Sequence, residues 1–245
     1  MDTPNIIHFI YPWTDKTRPW SLVNTLAVQS AIKAYPNHEI IIWTNAPTRV
    51  PMLPVEKRKC ELPTHVGDAE IIWPQYVSDV MRLQILLDHG GIYMDTDIIS
   101  LREFVPLPNN KLTISWETSA HESVCNAMMS AAPGSEFIKA WLDRMPEAMS
   151  HPTWAYGGVV VPYEMVHDPA FDNQYSMISH HFCCPLDLTR NWLFDPALKE
   201  LAKERVGMAY AIHVFETFWR EIIKDITPEW IENNDCLFSE LLKGN

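Results

Sequence analysis

Asp95 and Asp97 stand one residue apart in the stretch MRLQILLDHGGIYMDTDIIS, residues 81–100. They follow a short apolar segment, Ile92-Tyr93-Met94, that reads as a buried strand with Asp95 at its carboxyl end. Two carboxylates that close repel one another and raise each other's pKa unless a cation lies beside them. Hard divalent ions such as Mg2+ and Mn2+ take oxygen ligands and share them with substrate phosphates. In open α/β sheets, ligands bind outside the carboxyl ends of the strands. The pair therefore points to a metal site able to hold a diphosphate. The alternative is a polar turn whose aspartates cap local backbone amides, and the tripeptide alone does not separate the two.

A second group of polar residues lies just upstream, in SDVMRLQILLDH. Asp79, Arg82, Leu86 and His89 follow helical spacing and share one side, while Val80, Leu83 and Leu87 form an apolar stripe that can pack on a sheet. As a surface ion pair, Asp79 and Arg82 would be worth only a few tenths of a kcal/mol. The functional reading is an acid and a base directed over the same strand ends as the carboxylate pair.

The elements that must position these groups follow from periodicity and punctuation. Residues 5–11 (NIIHFIY) and 38–43 (HEIIIW) read as buried strands, with a helix over 21–34 between them. This β-loop-α-β opening is the start of a Rossmann-like sheet. Residues 44–74 carry five prolines and read as loop. Pro74 suits the first turn of a helix over 75–89, and Gly90-Gly91 supply its stop. Further strands are expected at 111–116, 126–130 and 208–214, a helix at 135–145, and an amphipathic helical tail over 228–242. The chain reads as one α/β domain over residues 1–245.

A net charge of -12 excludes DNA or RNA as the main partner, because no basic surplus is available to neutralise phosphates. Lys57-Arg58-Lys59 is a short basic cluster that reads as a solvated loop. No apolar run approaches the roughly 20 residues of a membrane span. The opening Met1-Asp2-Thr3-Pro4 lacks the basic and apolar regions of a secretion signal. The five cysteines are odd in number and lack zinc-like pairing, so reduced and mostly buried thiols in a cytosolic protein are expected. His180-His181 and Cys183-Cys184 have the wrong spacing for a closed structural zinc site and read as a packed strand or loop.

The run SDVMRLQILLDHGGIYMDTD resembles the signature of the DXD sugar-binding glycosyltransferases, roughly S-D-x-x-R, a short helix, then G-G-x-Y-x-D-x-D. That family includes α-mannosyltransferases, α-1,4-galactosyltransferases, bacterial polysaccharide enzymes and, more distantly, the glucosylating clostridial toxins. IIHFIYPW resembles the family's opening strand, NAMMSAAPGSEF its Asn-led segment and AIHVFETFW its C-terminal His-and-Trp segment. These landmarks reach from about residue 5 to about residue 220. Tyr replaces the commoner Trp after the first His motif, and YGGVVVP matches the family's Gly-Pro segment only loosely.

The resemblance implies a GT-A fold, a Rossmann-like mixed sheet flanked by helices, with a nucleotide-sugar half over about residues 1–130 and acceptor-side and closing segments over about 131–245. It implies Asp97 as a direct ligand of Mn2+ or Mg2+, with Asp95 contacting both metal and ribose. His213 would complete the metal or diphosphate site; the alternative is a strand histidine satisfied by backbone. Asp79 and Arg82 would hold the donor sugar's hydroxyls, Ser78 and Tyr93 would flank them, and Asn126 would lie near the anomeric carbon. Tyr11 would stack on the base and Trp219 would close over the diphosphate, although each could equally be core. Glu117 and Asp79 are carboxylates available near the acceptor.

The implied reaction moves a hexose from a nucleotide sugar to a glycan or lipid-linked saccharide, with retention of anomeric configuration. The opening aromatic motif favours a UDP-hexose over GDP-mannose. The expected setting is the cytoplasm, at or near the inner membrane face, with peripheral membrane association. Two other classes compete. A D-x-D phosphatase would place its motif near the domain start rather than 95 residues in and behind a glycine stop. A non-catalytic sugar- or nucleotide-binding module would explain the aromatics but does not need a diphosphate-metal site.

Overall fold

The computed structural model describes residues 2–14, 19–107 and 111–244. In chain order its elements are β1 (Ile6–Ile10), α1 (Leu22–Ala34), β2 (Glu39–Thr44), β3 (Glu56–Lys59), β4 (His65–Val66), β5 (Ala69–Glu70), α2 (Pro74–His89), β6 (Gly91–Met94), β7 (Ile98–Ser100), β8 (Leu112–Trp116), β9 (Val124–Ala131), α3 (Glu136–Met149), α4 (Val161–Met165), β10 (Tyr175–Ile178), α5 (His180–Cys183), α6 (Lys199–Val206), β11 (Ala211–His213), α7 (Glu216–Ile223), α8 (Pro228–Asn233) and α9 (Leu237–Gly244). Seven strands form one sheet in the order β10-β8-β9-β6-β1-β2-β3. Pairing is parallel except on the two sides of β9, which runs against β6 and β8. The result is the Rossmann-like mixed sheet expected from the β-α-β opening.

Two glycines join α2 to the centre of that sheet, and neither position admits a side chain. Gly90 and Gly91 have φ of 64° and 96°, a region that residues with a Cβ seldom enter. A Cβ on Gly90 would fall 2.5 Å from Pro133 Cδ, and one on Gly91 would fall 2.6 Å from the Ile6 carbonyl oxygen. The glycines thus let β6 enter between β1 and β9 immediately after a helix.

Beneath the sheet, α2 and α3 pack around the fully buried Tyr76, Leu83, Leu86, Phe137 and Trp141. Other buried apolar residues form a second core around β1, β2 and α1 and a third around α6, β11 and α9. Among the described residues, no helix is long and apolar enough to cross a membrane.

The structure departs from the sequence-based expectation in three places. The basic cluster Lys57-Arg58-Lys59 is not in a loop; it belongs to β3 at the sheet edge. Charge on an outer strand discourages pairing with another chain, so a strand of four charged residues carries no apolar signal. The helical tail is two helices. Asn234 caps the first by donating from Nδ2 to the Trp230 carbonyl at 2.8 Å, a local side-chain bond that competes with helix continuation. His180-His181 and Cys183-Cys184, expected as a packed strand or loop, instead form the helical turn α5, with Cys184 as its C-cap. Gly157 and Gly158 lie in a π-helical turn, Tyr156–Val160, leading into α4.

Candidate functional site

Asp95 follows directly on β6, and its amide donates to the Ala127 carbonyl of β9 at 2.7 Å. This bond places Asn126, at the start of antiparallel β9, beside the carboxyl end of β6. A tight turn follows, closed by the Ile98 amide donating to the Asp95 carbonyl at 3.0 Å. Asp97 occupies that turn. β7 then pairs with β11 so that Ile98 lies opposite His213. The register of this short ribbon brings a residue from near the end of the chain to the carboxylate pair.

Asp95, Asp97 and His213 each offer a ligand atom within 4.8 Å of the others. His213 Nε2 is 3.5 Å from Asp97 Oδ1, and the Glu216 amide donates to Asp97 Oδ2 at 2.9 Å. That amide opens α7, whose preceding residue Phe215 has a left-handed φ of 55°. A bulky residue rarely adopts this conformation; here it turns the chain from β11 into α7 so that the helix amide meets Asp97. His213 is not merely a strand histidine satisfied by backbone, since its buried Nδ1 has no hydrogen-bond partner.

Arg82 organises the other half. It is 5% exposed and Asp79 is 7% exposed, so a surface ion pair does not describe them. One guanidinium nitrogen lies 3.3 Å from Asp79 Oδ1 and 3.2 Å from Asp95 Oδ1. Another donates to the Asn126 carbonyl at 2.9 Å, and Nε donates to the Ser78 carbonyl at 3.3 Å. The guanidinium also lies over the Tyr93 ring, 4.7 Å from its centroid. Tyr93 donates its hydroxyl to Asp95 Oδ1, and Asn126 Nδ2 donates to Asp79 Oδ1 at 3.1 Å. Removing one partner from a buried set like this strands a charge and costs about 3–5 kcal/mol.

The electrostatics differ between the two carboxylates. Burial, opposed by Arg82 and reinforced by the Asp97 charge, pushes Asp95 up to about 6. Burial works against the Asp97 carboxylate too, but the neighbouring His213 holds it below the usual range. Burial likewise disfavours a charged His213, and the contact with Asp97 outweighs it and raises its pKa. Burial raises Asp79, against the pull of Arg82 and Asn126. Two carboxylates and an imidazole with an unpartnered nitrogen form a donor set that fits a divalent cation, Mn2+ more readily than Mg2+ because of the imidazole.

The remaining predicted residues fall around this cluster. Ser78 contributes its carbonyl to Arg82. Tyr11, at the end of β1, is buried edge-on to Trp20 with ring centres 5.0 Å apart, and the half-buried Trp13 adjoins it. Trp219 packs on Phe194 and shares with His213 a small cleft that also includes Arg190 and Trp192. Glu117 accepts from Ser123 Oγ at 2.7 Å, and burial raises its pKa. Another cleft, lined by Tyr35, His38, Glu39, Leu53 and Glu56, opens at the amino ends of β2 and β3, away from these groups.

Sequence reasoning missed two residues. Gly158 covers the Asp79–Asn126 pair so closely that a Cβ there would fall 2.7 Å from Asn126 Nδ2 and 2.8 Å from Asp79 Oδ2. Asn24, in the first turn of α1, donates from Nδ2 to the Thr96 carbonyl at 3.0 Å and to Glu216 Oε2 at 2.9 Å. It ties the turn between the two aspartates to the start of α7. The capping pattern Ser21-x-x-Asn24 was readable in the sequence, but its tertiary partners were not.

With its mixed sheet and a D-x-D turn at the carboxyl end of a central strand, the molecule has the GT-A fold of glycosyltransferases. Residues 23–120 match the family described as "Glycosyltransferase sugar-binding region containing DXD motif". Over that region, which is less than half of its length, the chain is similar to this DXD glycosyltransferase family.

Among curated proteins it is 24% identical over 197 residues to Glucan organizing enzyme 1 of Cryptococcus neoformans var. grubii, covering 76% of this chain and 52% of that protein. It is 28% identical over 165 residues to Subversion of eukaryotic traffic protein A of Legionella pneumophila, covering 58% and 25%. With the human Alpha-1,4-N-acetylglucosaminyltransferase it shares 32% over 92 residues, covering 38% and 25%. The chain thus spans about half or less of the length of these relatives. The solved structure of the PaToxG glycosyltransferase superposes with a TM-score of 0.54 at 16% identity, covering 99% of this chain and 87% of that one. This last likeness concerns the fold.

Proposed function

We propose that the chain is a metal-dependent hexosyltransferase that moves a sugar from a nucleotide sugar to a glycan or lipid-linked acceptor. One observation carries the proposal. The carboxyl end of β6 gathers two adjoining groups, Asp79, Tyr93, Asp95 and Asn126 bonded around Arg82 and Asp97 paired with His213, with the ligand atoms of Asp95, Asp97 and His213 within 4.8 Å of one another. A binding module has no need of a buried guanidinium beside a metal-type donor set.

Asp95, Asp97 and His213 would hold Mn2+ or Mg2+, which when bound acts as a Lewis acid toward the donor's diphosphate. Asp95, with a side chain 26% exposed, is open enough to meet the donor as well. Asp79, kept in place by Arg82 and Asn126, would orient the sugar hydroxyls. Fixed donors such as Arg82 would stabilise charge that grows as the nucleoside diphosphate leaves. Asn126 would face the anomeric carbon, Ser78 and Tyr93 would flank the donor, and Tyr11 and Trp219 would bound the base and the diphosphate. No residue of the sequence stands out as a double-displacement nucleophile, and the proposed course is therefore a same-face reaction with retention, the leaving phosphate accepting the acceptor's proton. A UDP-hexose is the favoured donor and GDP-mannose the alternative. The acceptor side would be formed by the later half of the chain, at or near the inner face of a membrane.

The test is thermal stabilisation by nucleoside diphosphates with and without Mn2+. At 100 times its dissociation constant a ligand adds about 2.7 kcal/mol, or roughly 5–11 °C for a domain of this size. A shift with UDP that requires Mn2+ is expected. A metal-dependent shift with GDP alone would replace the donor assignment, and no shift with either nucleotide would overturn the transferase reading.

A further inference from the structure

Two buried thiols border the carboxylate site and have no part in the chemistry proposed above. Cys125 lies on β9 next to Asn126, and Cys184 ends the single turn of α5. They come together because β10 pairs with β8 and turns into α5, while the Tyr210 amide donates to the Phe182 carbonyl at 2.8 Å and joins α5 to the approach to β11. The same strand delivers His213. The Sγ atoms of Cys125 and Cys184 are 3.2 Å apart, and both residues are at most 2% exposed. Cys125, Cys184 and His213 each present a ligand atom within 4.8 Å of the other two. His213 is common to this trio and to the carboxylate trio, and its Nδ1 is buried without a partner.

We propose that Cys125, Cys184 and His213 form a second metal site, for Zn2+ or a similarly thiophilic cation, that competes with the carboxylate pair for His213. Two sulfurs on a tetrahedral zinc, each at about 2.3 Å, lie about 3.8 Å apart. The pair therefore needs to open by about 0.6 Å from its 3.2 Å separation. Two thiolates and one imidazole are a soft donor set, whereas two carboxylates and one imidazole are a harder one. Three protein ligands leave the fourth tetrahedral position for water. Binding releases both thiol protons, together with the extra proton of a cationic His213, to solvent. The His213 side chain, 13% exposed, provides the way in for an ion that neither thiol could meet directly from bulk water. A neutral imidazole has one lone-pair nitrogen: if Nδ1 holds the thiolate-bound ion, Nε2 carries the proton and can donate to Asp97 but cannot ligate an ion beside it. The site itself is independent of the transferase reading; its inhibitory consequence rests on that reading.

Co2+ is the spectroscopic probe. One equivalent added to the full chain should produce thiolate-to-cobalt charge-transfer absorption in the near ultraviolet, and Zn2+ should abolish it. Cys184→Ser should remove the band, whereas Cys183→Ser and Asp97→Asn should keep it. Alkylation of the unmutated protein, mapped by peptide mass, gives a readout free of folding effects. Zn2+ should protect Cys125 and Cys184 but not Cys60. Absence of the band in the wild type, its survival in Cys184→Ser or unprotected thiols would overturn the proposal. So would a count of three free thiols in the denatured, unreduced chain, which would make the pair a disulfide. In the activity arm, equimolar Zn2+ should slow Mn2+-dependent turnover at least tenfold in the wild type and not in Cys184→Ser. A charge-transfer band with undiminished turnover would overturn the competition for His213. A band in a protein that ignores every nucleotide would support the metal site while the transferase reading fails.

Discussion

Alanine in place of Gly158 would put a methyl group onto the Asp79–Asn126 pair. Its Cβ would lie 2.7 Å from Asn126 Nδ2 and 2.8 and 2.9 Å from the two Asp79 carboxylate oxygens. Ordinary contact with carbon begins near about 3.5 Å, so the pair must retreat by roughly 0.7 Å. Neither side chain can do so freely. Asp79 is fixed by the 3.1 Å bond from Asn126 and the 3.3 Å contact with Arg82, and Asn126 is strand-bound on β9. Overpacking of this kind costs about 1–3 kcal/mol, and a displacement approaching 1 Å at a reacting centre can cost about a hundredfold in rate.

The assay is kcat/KM for nucleotide-sugar turnover beside the melting temperature, with Gly157→Ala as control. At Gly157 the nearest obstacle is Met145 Cε at 2.8 Å, the free end of a flexible side chain. Both variants should lose stability, but only Gly158→Ala should lose roughly a hundredfold in kcat/KM. Wild-type kcat/KM in Gly158→Ala would refute the argument that close approach at this glycine positions Asp79. Equal losses in both variants would assign the effect to the turn as a whole.

Three further outcomes are expected. Asp97→Asn should abolish the Mn2+-dependent nucleotide shift and metal-dependent turnover with little change in melting temperature; unchanged activity would remove Asp97 from the metal site. Asn24→Ala removes bonds to Thr96 and Glu216 and the side-chain half of the α1 cap. At about 1 kcal/mol each, their loss should cost about 3 kcal/mol and lower the melting temperature by roughly 6–12 °C. His8 gives a pH signature. It accepts from Trp43 Nε1 at 3.1 Å and donates from Nε2 to the Gly90 carbonyl at 2.9 Å, and burial lowers its pKa from 6.5 to about 4. Between those values the unfolded chain binds more protons than the folded one. Stability from this group is therefore complete above pH 6.5 and is lost as pH falls through 4, by about 3 kcal/mol in all. Thermal melts across that range should show the fall, and His8→Gln should flatten it.

Local rules reach far in this chain. Pro74 at the first turn of α2, the stop at Gly90-Gly91 and the apolar run of β6 are short-range signals, and they place Asp95 at a strand's carboxyl end before any contact is known. Helical spacing likewise puts Asp79 and Arg82 together. Burial was not legible: the same i,i+3 pair reads as a solvated ion pair, and only the packing of α2 under β9 turns it into an enclosed one. β3 was missed because four charged residues form a strand through hydrogen bonds to β2, which their side chains do not announce.

The sequence by itself determined which residue types stand at the end of β6 and in what order, because those depend on neighbours along the chain. The tertiary structure alone decided that His213 meets Asp97, that Gly158 closes over Asp79 and that Cys125 meets Cys184. These contacts join residues far apart in the chain, and they are set by strand register and helix packing, in which many residues jointly fix each pair.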